Sequence, residues 1–460
     1  MTNSVSRMFV LVLSLFLSSM GGRAQDKGIA VSLKLLLKQA VENYPLLKSR
    51  FYEVQAAEKG VDASKRFIVP TLDATYQTNF ATYNNIIGMA SPAGMMPISG
   101  PPSTGNNYKG VVGSGAGLVL NWQPITFGQR TAQVDYSKAG LKFTTADAQN
   151  EVFQHEVRVI NTFLDALVAT EVVKVYEKNK IRTESNYAAI KSLVMSGIKP
   201  GLDSSMFKAE LSRSRIELLN AKRFHQQTLI TLSQYLGYDH TIAVEDSSYF
   251  SKLPEIGKYV QIDSVRHPLL SLYSSGIMLN KAKGKMLSRT MLPTLGIWGT
   301  TFARGSGVRN DGTVNSPDGL NFQRYNYGFG LQLSMPLLQY ARINPQIQQQ
   351  KLLVKSNEEK LKDISLQLRK QLEMADTTLD NALSTARENS FLLESSDLSY
   401  RAMLSRYRSG LENFTDLVQA QYSLVKAEAE MKTAYINVWK ALLLKAAVEG
   451  DLNEFLNQVK

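Results

Sequence analysis

No cysteine occurs among the 460 residues. That absence excludes a disulfide framework, a thiolate metal site and acylation at a lipoprotein cysteine. Long apolar runs are missing too. Beyond the N-terminal segment none approaches the roughly twenty residues a transmembrane helix requires, so entry into a membrane would have to be by strands. The four histidines, His155, His225, His240 and His267, are scattered. They form no ligand spacing, and His155 and His225 are expected on helix surfaces. Neither a glycine-rich phosphate loop nor a nucleophile elbow is present. The methionines between Met89 and Met96 could be taken for a soft-metal site, but in a stretch rich in glycine and proline they read as incidental. No catalytic residue, cofactor or metal is therefore expected.

The formal charge is +12. Lysines and arginines are spread along helical stretches with glutamates between them and form no aromatic-interleaved patch, which argues for a solvated helical surface and against nucleic acid. At the N-terminus, Arg7 precedes an apolar core, Met8 to Leu17, followed by Gly22-Arg23-Ala24. This pattern reads as an export signal over residues 1–24 with a mature start at Gln25, and removal of Arg7 and Arg23 would leave a charge of about +10.

What the chain has in place of motifs is a duplication. Ser196-Gly197 recurs as Ser409-Gly410; each glycine is followed six residues later by an aspartate, Asp203 or Asp416, and forty residues later by a second glycine, Gly237 or Gly450. Pro-Leu-Leu at Pro45 and Pro268 is followed in each copy by Pro-Thr-Leu twenty-five residues on, at Pro70 and Pro293. GAGLVLNWQP (Gly115–Pro124) matches GFGLQLSMP (Gly328–Pro336). Each half reads helix, strand, loop, strand, long helix, tip, helix, and the halves are placed at 25–237 and 260–450. Residues 238–259 form a polar linker, expected as a collar around the helices, and 451–460 a tail.

Four segments, about 71–81, 111–123, 294–304 and 324–336, change to period two. Leu72, Ala74, Tyr76 and Phe80 alternate with Asp73, Thr75, Gln77 and Asn79, and Leu118, Leu120 and Trp122 alternate with Gly117, Val119 and Asn121. Tyr327, Phe329, Leu331 and Leu333 oppose Asn326, Gly328, Gly330 and Gln332, the cleanest alternation in the chain. Thr294 to Ala303 alternates less clearly. Strands of this kind, with an apolar face and a small or polar one, suit a transmembrane β-barrel. Four strands cannot close around a lumen, so the chain is expected to share its barrel with copies of itself.

Between strands and tips little stops a helix from Gln129 to Met195 or from Pro345 to Arg408, Gly140 being the only glycine in either run; at 1.5 Å per residue each would run to about 100 Å. Phe153, Val157, Ile160, Leu164 and Leu167 step by four and three, as do Leu368, Leu372, Ala375, Leu379, Ala382 and Ala386. This is coiled-coil spacing for packing against the returning helices, 204–236 and 416–448.

The duplicated halves, the strand-proline-helix junctions at Trp122–Gly128 and Ser334–Leu338 and the paired Gly-x5-Asp tips together resemble the TolC family of bacterial outer-membrane efflux proteins, over essentially all of Gln25 to Gly450. No single motif is specific; the ordered pair of repeats is. The resemblance implies an α+β membrane protein, a homotrimer in which each chain gives four strands to a 12-stranded outer-membrane β-barrel continued by a periplasmic α-helical coiled-coil barrel. It implies a passive exit duct of a tripartite efflux or type I secretion system in a Gram-negative bacterium, fed by a periplasmic adaptor and an inner-membrane transporter of RND or ABC type.

It also implies roles at the tips. Asp416 looks like the constriction aspartate, and Tyr407 with Asp203 resembles a closing hydroxyl-carboxylate pair. Glu412 stands where some members have a gate arginine, and Gln419 where they have a second acid. Gly197, Ile198, Gly410 and Leu411 would lie where the adaptor docks, and the Leu118, Leu120, Trp122, Tyr327, Phe329, Leu331 and Leu333 side chains would face lipid. From the residues alone, both aspartates equally suit helix capping, and Gly197 and Gly410 suit left-handed helix ends. A soluble periplasmic coiled-coil scaffold or adaptor is the alternative from a different class.

Overall fold

The computed structural model describes residues 32–85, 102–198, 200–254 and 267–458. The expected export segment, the Met89–Met96 stretch and the end of the 238–259 linker lie outside these residues. Two helices, α1 (Leu33–Asn43) and α2 (Pro45–Arg66), lead to strand β1 (Thr71–Thr82), and β2 (Gly110–Ile125) returns into the long α3 (Gln129–Met195) and α4 (Gly201–Leu236). The second half follows as α5 (Pro268–Arg289), β3 (Thr294–Ser306), β4 (Arg324–Ser334), α6 (Gln339–Arg408) and α7 (Phe414–Glu449), with a last turn, α8 (Asn453–Leu456). Pro45 and Pro268 each open a helix, where the missing N–H costs nothing. The helix expected from Pro345 instead starts at Gln339 and holds that proline inside it; the preceding residues supply the first turn, so proline sits where one backbone bond is lost.

The described residues form two compact units, one of Arg50–Gln149 and Leu269–Ile364, the other of those up to Ser49, Asn150–Pro268 and from Ser365 onward.

In the first unit the four strands make one antiparallel sheet in the order β1-β2-β3-β4. Directly paired residues share a face, and the register sorts the side chains up to a shift between Trp122 and Ile125 of β2. Tyr327, Phe329, Leu331 and Leu333 pair with Thr301, Gly299, Ile297 and Leu295. Thr301, Gly299 and Ile297 pair with Leu118, Leu120 and Trp122, and Leu118 and Leu120 with Ala74 and Leu72. One face is therefore apolar from edge to edge, and it is uncovered within the chain: Tyr327 is 85% and Leu331 73% exposed. The Trp122 indole donates to the Ile68 carbonyl at 2.7 Å.

The opposite face explains the blurred alternation of β3. Trp298 and Phe302 stand on it among polar and glycine neighbours, because glycines make room for them. A Cβ on Gly330 would lie 2.8 Å from the Trp298 ring, and one on Gly117 2.9 Å from the Phe302 Cβ. Residues 307–323 fold back on the β2 end, where the Ser114 hydroxyl donates to the Gly319 carbonyl at 2.6 Å.

The second unit holds the main core. Val159, Ile160, Phe163, Leu164 and Leu167 of α3 meet Leu229, Leu232 and Leu236 of α4, Leu379, Leu383 and Ala386 of α6, and Val438, Leu442 and Ala446 of α7. The linker enters this core: Tyr249 is buried against Phe163 and Trp439, and its carbonyl accepts from the Trp439 indole at 3.1 Å. The duplication shows in the helix ends. Gly237 (φ 71) and Gly450 (φ 81) close α4 and α7 in the left-handed conformation, and each abuts the entry of its own half: a Cβ would meet the Asn43 carbonyl at 2.9 Å and the His267 ring at 2.6 Å.

His155 corrects the surface expectation. It is fully buried, stacked on Tyr44 with centroids 4.1 Å apart, and its Nε2 lies 2.9 Å from the Tyr235 carbonyl; the ring is apolar enough to pack in a core once one nitrogen is paired. Burial lowers its pKa below the ordinary 6.5. His225 is half-buried beside the Thr170 hydroxyl, at 3.1 Å.

Candidate functional site at the helix tips

The two tips are built alike. In the first, Gly197 (φ 71) donates to the Val194 carbonyl at 3.0 Å and Ile198 to Leu193 at 2.9 Å; in the second, Gly410 (φ 78) donates to Tyr407 at 3.1 Å and Leu411 to Arg406 at 2.9 Å. Both are the paired closure of a helix C-terminus that glycine permits by accepting positive φ. The residues that follow them are apolar and exposed, Ile198 at 67% and Leu411 at 70%.

The Tyr407 hydroxyl, at the end of α6, donates to Asp203 Oδ2 in the first turn of α4 at 2.9 Å. The phenol is buried, and its pKa is pushed upward first by that burial and then by the Asp203 carboxylate, so it stays a donor. A small core surrounds the bond. Phe207 packs edge-on to Phe414 at 4.6 Å and beside Tyr407 at 5.9 Å, and Ile190, Leu417 and Leu424 complete the cluster.

Neither aspartate supplies the side-chain cap that both suit in the sequence. Asn413 caps α7, its Oδ1 accepting from the Asp416 backbone N–H at 2.9 Å. Pro200 precedes α4 with no side-chain cap. Asp416 and Asp203 instead occupy first turns, where a carboxylate complements the helix dipole. Asp416 and Gln419 line a shallow groove with Ser395, Ser399 and Ser423. Glu412 is held by Arg406 at 2.7 Å, so the acid standing at this position is paired within its own tip.

Above the tip lies a polar layer that the sequence reading passed over. Gln421 Nε2 donates to Asn179 Oδ1 at 2.9 Å and to Thr183 Oγ1 at 2.7 Å, and Asn186 Nδ2 donates to the Tyr400 hydroxyl at 3.0 Å. These side chains are buried. Beside them Arg182 reaches both oxygens of Glu428, at 3.0 and 3.2 Å. The signal was available: Asn179, Thr183 and Asn186 continue the four-and-three step of the apolar stripe on α3, with polar residues at core positions.

Among the described residues no helix is long and apolar enough to cross a membrane, and no group of histidine, aspartate and glutamate could hold a metal ion. An exposed apolar sheet face and long paired helices define a channel-forming outer-membrane architecture. The family model for outer membrane efflux proteins matches residues 36–238 and 290–442, and the chain belongs to that family. Solved structures agree in fold. The CmeC outer membrane channel of Campylobacter jejuni superposes with a TM-score of 0.71 at 13% identity, covering 94% of this chain and 90% of that one. VceC of Vibrio cholerae gives 0.70 at 11%, covering 91% and 96%. The open-state MtrE channel of Neisseria gonorrhoeae gives 0.67 at 14%, covering 91% and 89%. No curated protein matches by sequence. The protein is an outer-membrane efflux channel that works with adaptors and inner-membrane pumps, and it is not an enzyme.

Proposed function

We propose that three copies of this chain each give four strands to one twelve-stranded barrel, with the duplicated halves 25–237 and 260–450 contributing equivalent strand pairs and helices. The observation that carries this reading is the register. It gathers Leu118, Leu120, Trp122, Tyr327, Phe329, Leu331 and Leu333 on one uncovered face while leaving β1 and β4 as open edges. Hydrocarbon tolerates no open edge, so β4 of one copy must pair with β1 of the next, apolar face to lipid and polar face to the lumen.

At the tips, the Tyr407–Asp203 bond holds the start of α4 against the end of α6 and keeps the tip closed, with Glu412 locked by Arg406. Asp416 and Gln419 face the axis, where three Asp416 carboxylates favour cations. The exposed Ile198 and Leu411, beside Gly197 and Gly410, are the adaptor's docking surface, and the inner-membrane transporter is of RND or ABC type. Replacing Leu331 and Leu333 with arginine tests the barrel: at about 2–4 kcal/mol for each arginine at mid-membrane, the variant fails to form a detergent-extracted trimer. Normal trimers from that variant would remove the reading. For the axis, Asp416→Ala lowers cation preference in planar bilayers, and unchanged preference leaves Asp416 with its dipole role alone.

A further inference from the structure

All four strands together carry three charged residues, Asp73, Arg304 and Arg324. Two of the three are like-charged and directly opposed: Arg304 of β3 pairs with Arg324 of β4. Partners in such a pair have Cβ atoms about 4.5–5.5 Å apart, and like charges there are destabilising. Both arginines sit on the polar face, since Arg304 is in step with Trp298 and Phe302, and Arg324 with Asn326 and Gly328. Both are exposed.

Among the described residues nothing at that end of the sheet neutralises them. Among the described residues neither arginine has a carboxylate partner; Arg324 Nη1 donates to the neighbouring Gln323 carbonyl at 2.9 Å. On β2 the residue paired with Arg304 is Gly115, and on β1 the next is Gln77. Of the two acids in the adjoining 307–323 segment, Asp318 is taken by Arg309 at 3.0 Å, and Asp311 accepts from the Thr313 hydroxyl and backbone N–H at 2.6 and 2.9 Å. Residues 83–109, which join β1 to β2, contain one charged residue, Lys109, and no acid. Asp73 is level with Thr300, four residues from Arg304 and so about 14 Å away along the strands.

We propose that Arg304 and Arg324 form an oxyanion-attracting ring at the loop end of the lumen, which selects for solutes bearing carboxylate or phosphate as they leave. The proposal rests on the trimeric barrel reading, which turns one pair into six guanidinium groups around a single opening. Guanidinium suits the task because it is always charged, weakly hydrated and forked to match a carboxylate or phosphate. Gly115, paired with Arg304 on β2, leaves the forks room to reach a passing anion. A repulsive pair kept unpartnered is the arrangement a transient anionic guest would relieve.

The test is the reversal potential of the full-length channel in phosphatidylcholine bilayers under a potassium chloride gradient. Arg304→Gln with Arg324→Gln lowers the chloride-to-potassium permeability ratio at least about twofold, since screened luminal charge still sets local ion concentrations. The charge-keeping Arg304→Lys with Arg324→Lys retains the wild-type ratio. Inorganic pyrophosphate added on the loop side reduces wild-type current about twofold and leaves the glutamine variant unaffected. A glutamine variant with the wild-type ratio, a lysine variant that loses the ratio as the glutamine one does, or pyrophosphate without effect on the wild type each overturns the proposal. A wild-type chain that assembles no conducting trimer is distinguishable from all three and defeats the barrel reading itself.

Discussion

The Tyr407 hydroxyl donates to Asp203 at 2.9 Å across residues separated by 204 positions in the chain, and it does so inside one protomer. The bond ties the last turn of the helix that descends in the second half to the first turn of the helix that ascends in the first. Because the phenol is buried and Asp203 only half-buried, breaking the bond leaves the acid able to reach water while the aromatic packing remains.

Tyr407→Phe should therefore weaken tip closure without unfolding the tip. The lost bond is to a charged acceptor, worth about 1.5–3 kcal/mol. The expected outcome is a channel with a higher open fraction in planar bilayers and unchanged assembly. An open fraction equal to wild type would separate Tyr407 from gating.

Gly330→Val places a side chain where the Trp298 ring lies, with the new Cβ 2.8 Å from it. Overpacking of this kind costs about 1–3 kcal/mol. The melting temperature should fall in Gly330→Val and recover in the double variant with Trp298→Ala. Failure to recover would mean the strand, and not the indole, rejects the valine.

Gln421→Leu removes the centre of the polar layer and leaves Asn179 and Thr183 without the amide that donates to both. A buried polar group left unpaired costs about 1–3 kcal/mol. The variant should melt lower than wild type, whereas replacing exposed Gln419 by Leu should not; equal melting would show that water replaces the glutamine.

Stability should also carry a pH signature from Glu449. Burial first, then Glu454, pushes its pKa up to about 7, against the pull of Lys445 and with a small push from Asp376; Lys445 is itself paired to Asp376 at 3.0 Å. The folded chain then holds more protons than the unfolded one between the ordinary glutamate range and pH 7. Its contribution is whole at low pH and is lost as pH rises through about 7. His155 has the opposite sign: its lowered pKa makes its contribution whole above 6.5 and lost as pH falls. Glu449→Gln should flatten the decline of melting temperature between pH 5 and 8, and an unchanged slope would exclude Glu449 as its source.

Much of this was legible in the sequence because duplication and period are long-range regularities. Two glycines at forty-residue spacing marked α4 and α7, and Tyr327 to Leu333 marked a strand by alternation alone. Legibility failed where a side chain's surroundings come from distant segments. Trp298 broke the β3 alternation because its space is made by Gly328 and Gly330 on the next strand. His155 looked like a surface residue until Tyr44 and Tyr235, far away in sequence, closed over it. Asp416 stood at a helix start and suggested a cap, but Asn413, three residues earlier, had the reach. The pairing of Tyr407 with Asp203 came forward only through the family resemblance; no spacing rule joins residues so far apart.

The most direct test is single-particle imaging of the detergent-extracted full-length protein, resolving how the sheet edges pair. The account predicts a three-fold particle in which β4 of each copy pairs with β1 of the next to complete twelve strands, with Leu331 and Leu333 against the detergent belt. A monomer that stays in solution without detergent, its β1 and β4 edges unpaired, would contradict it.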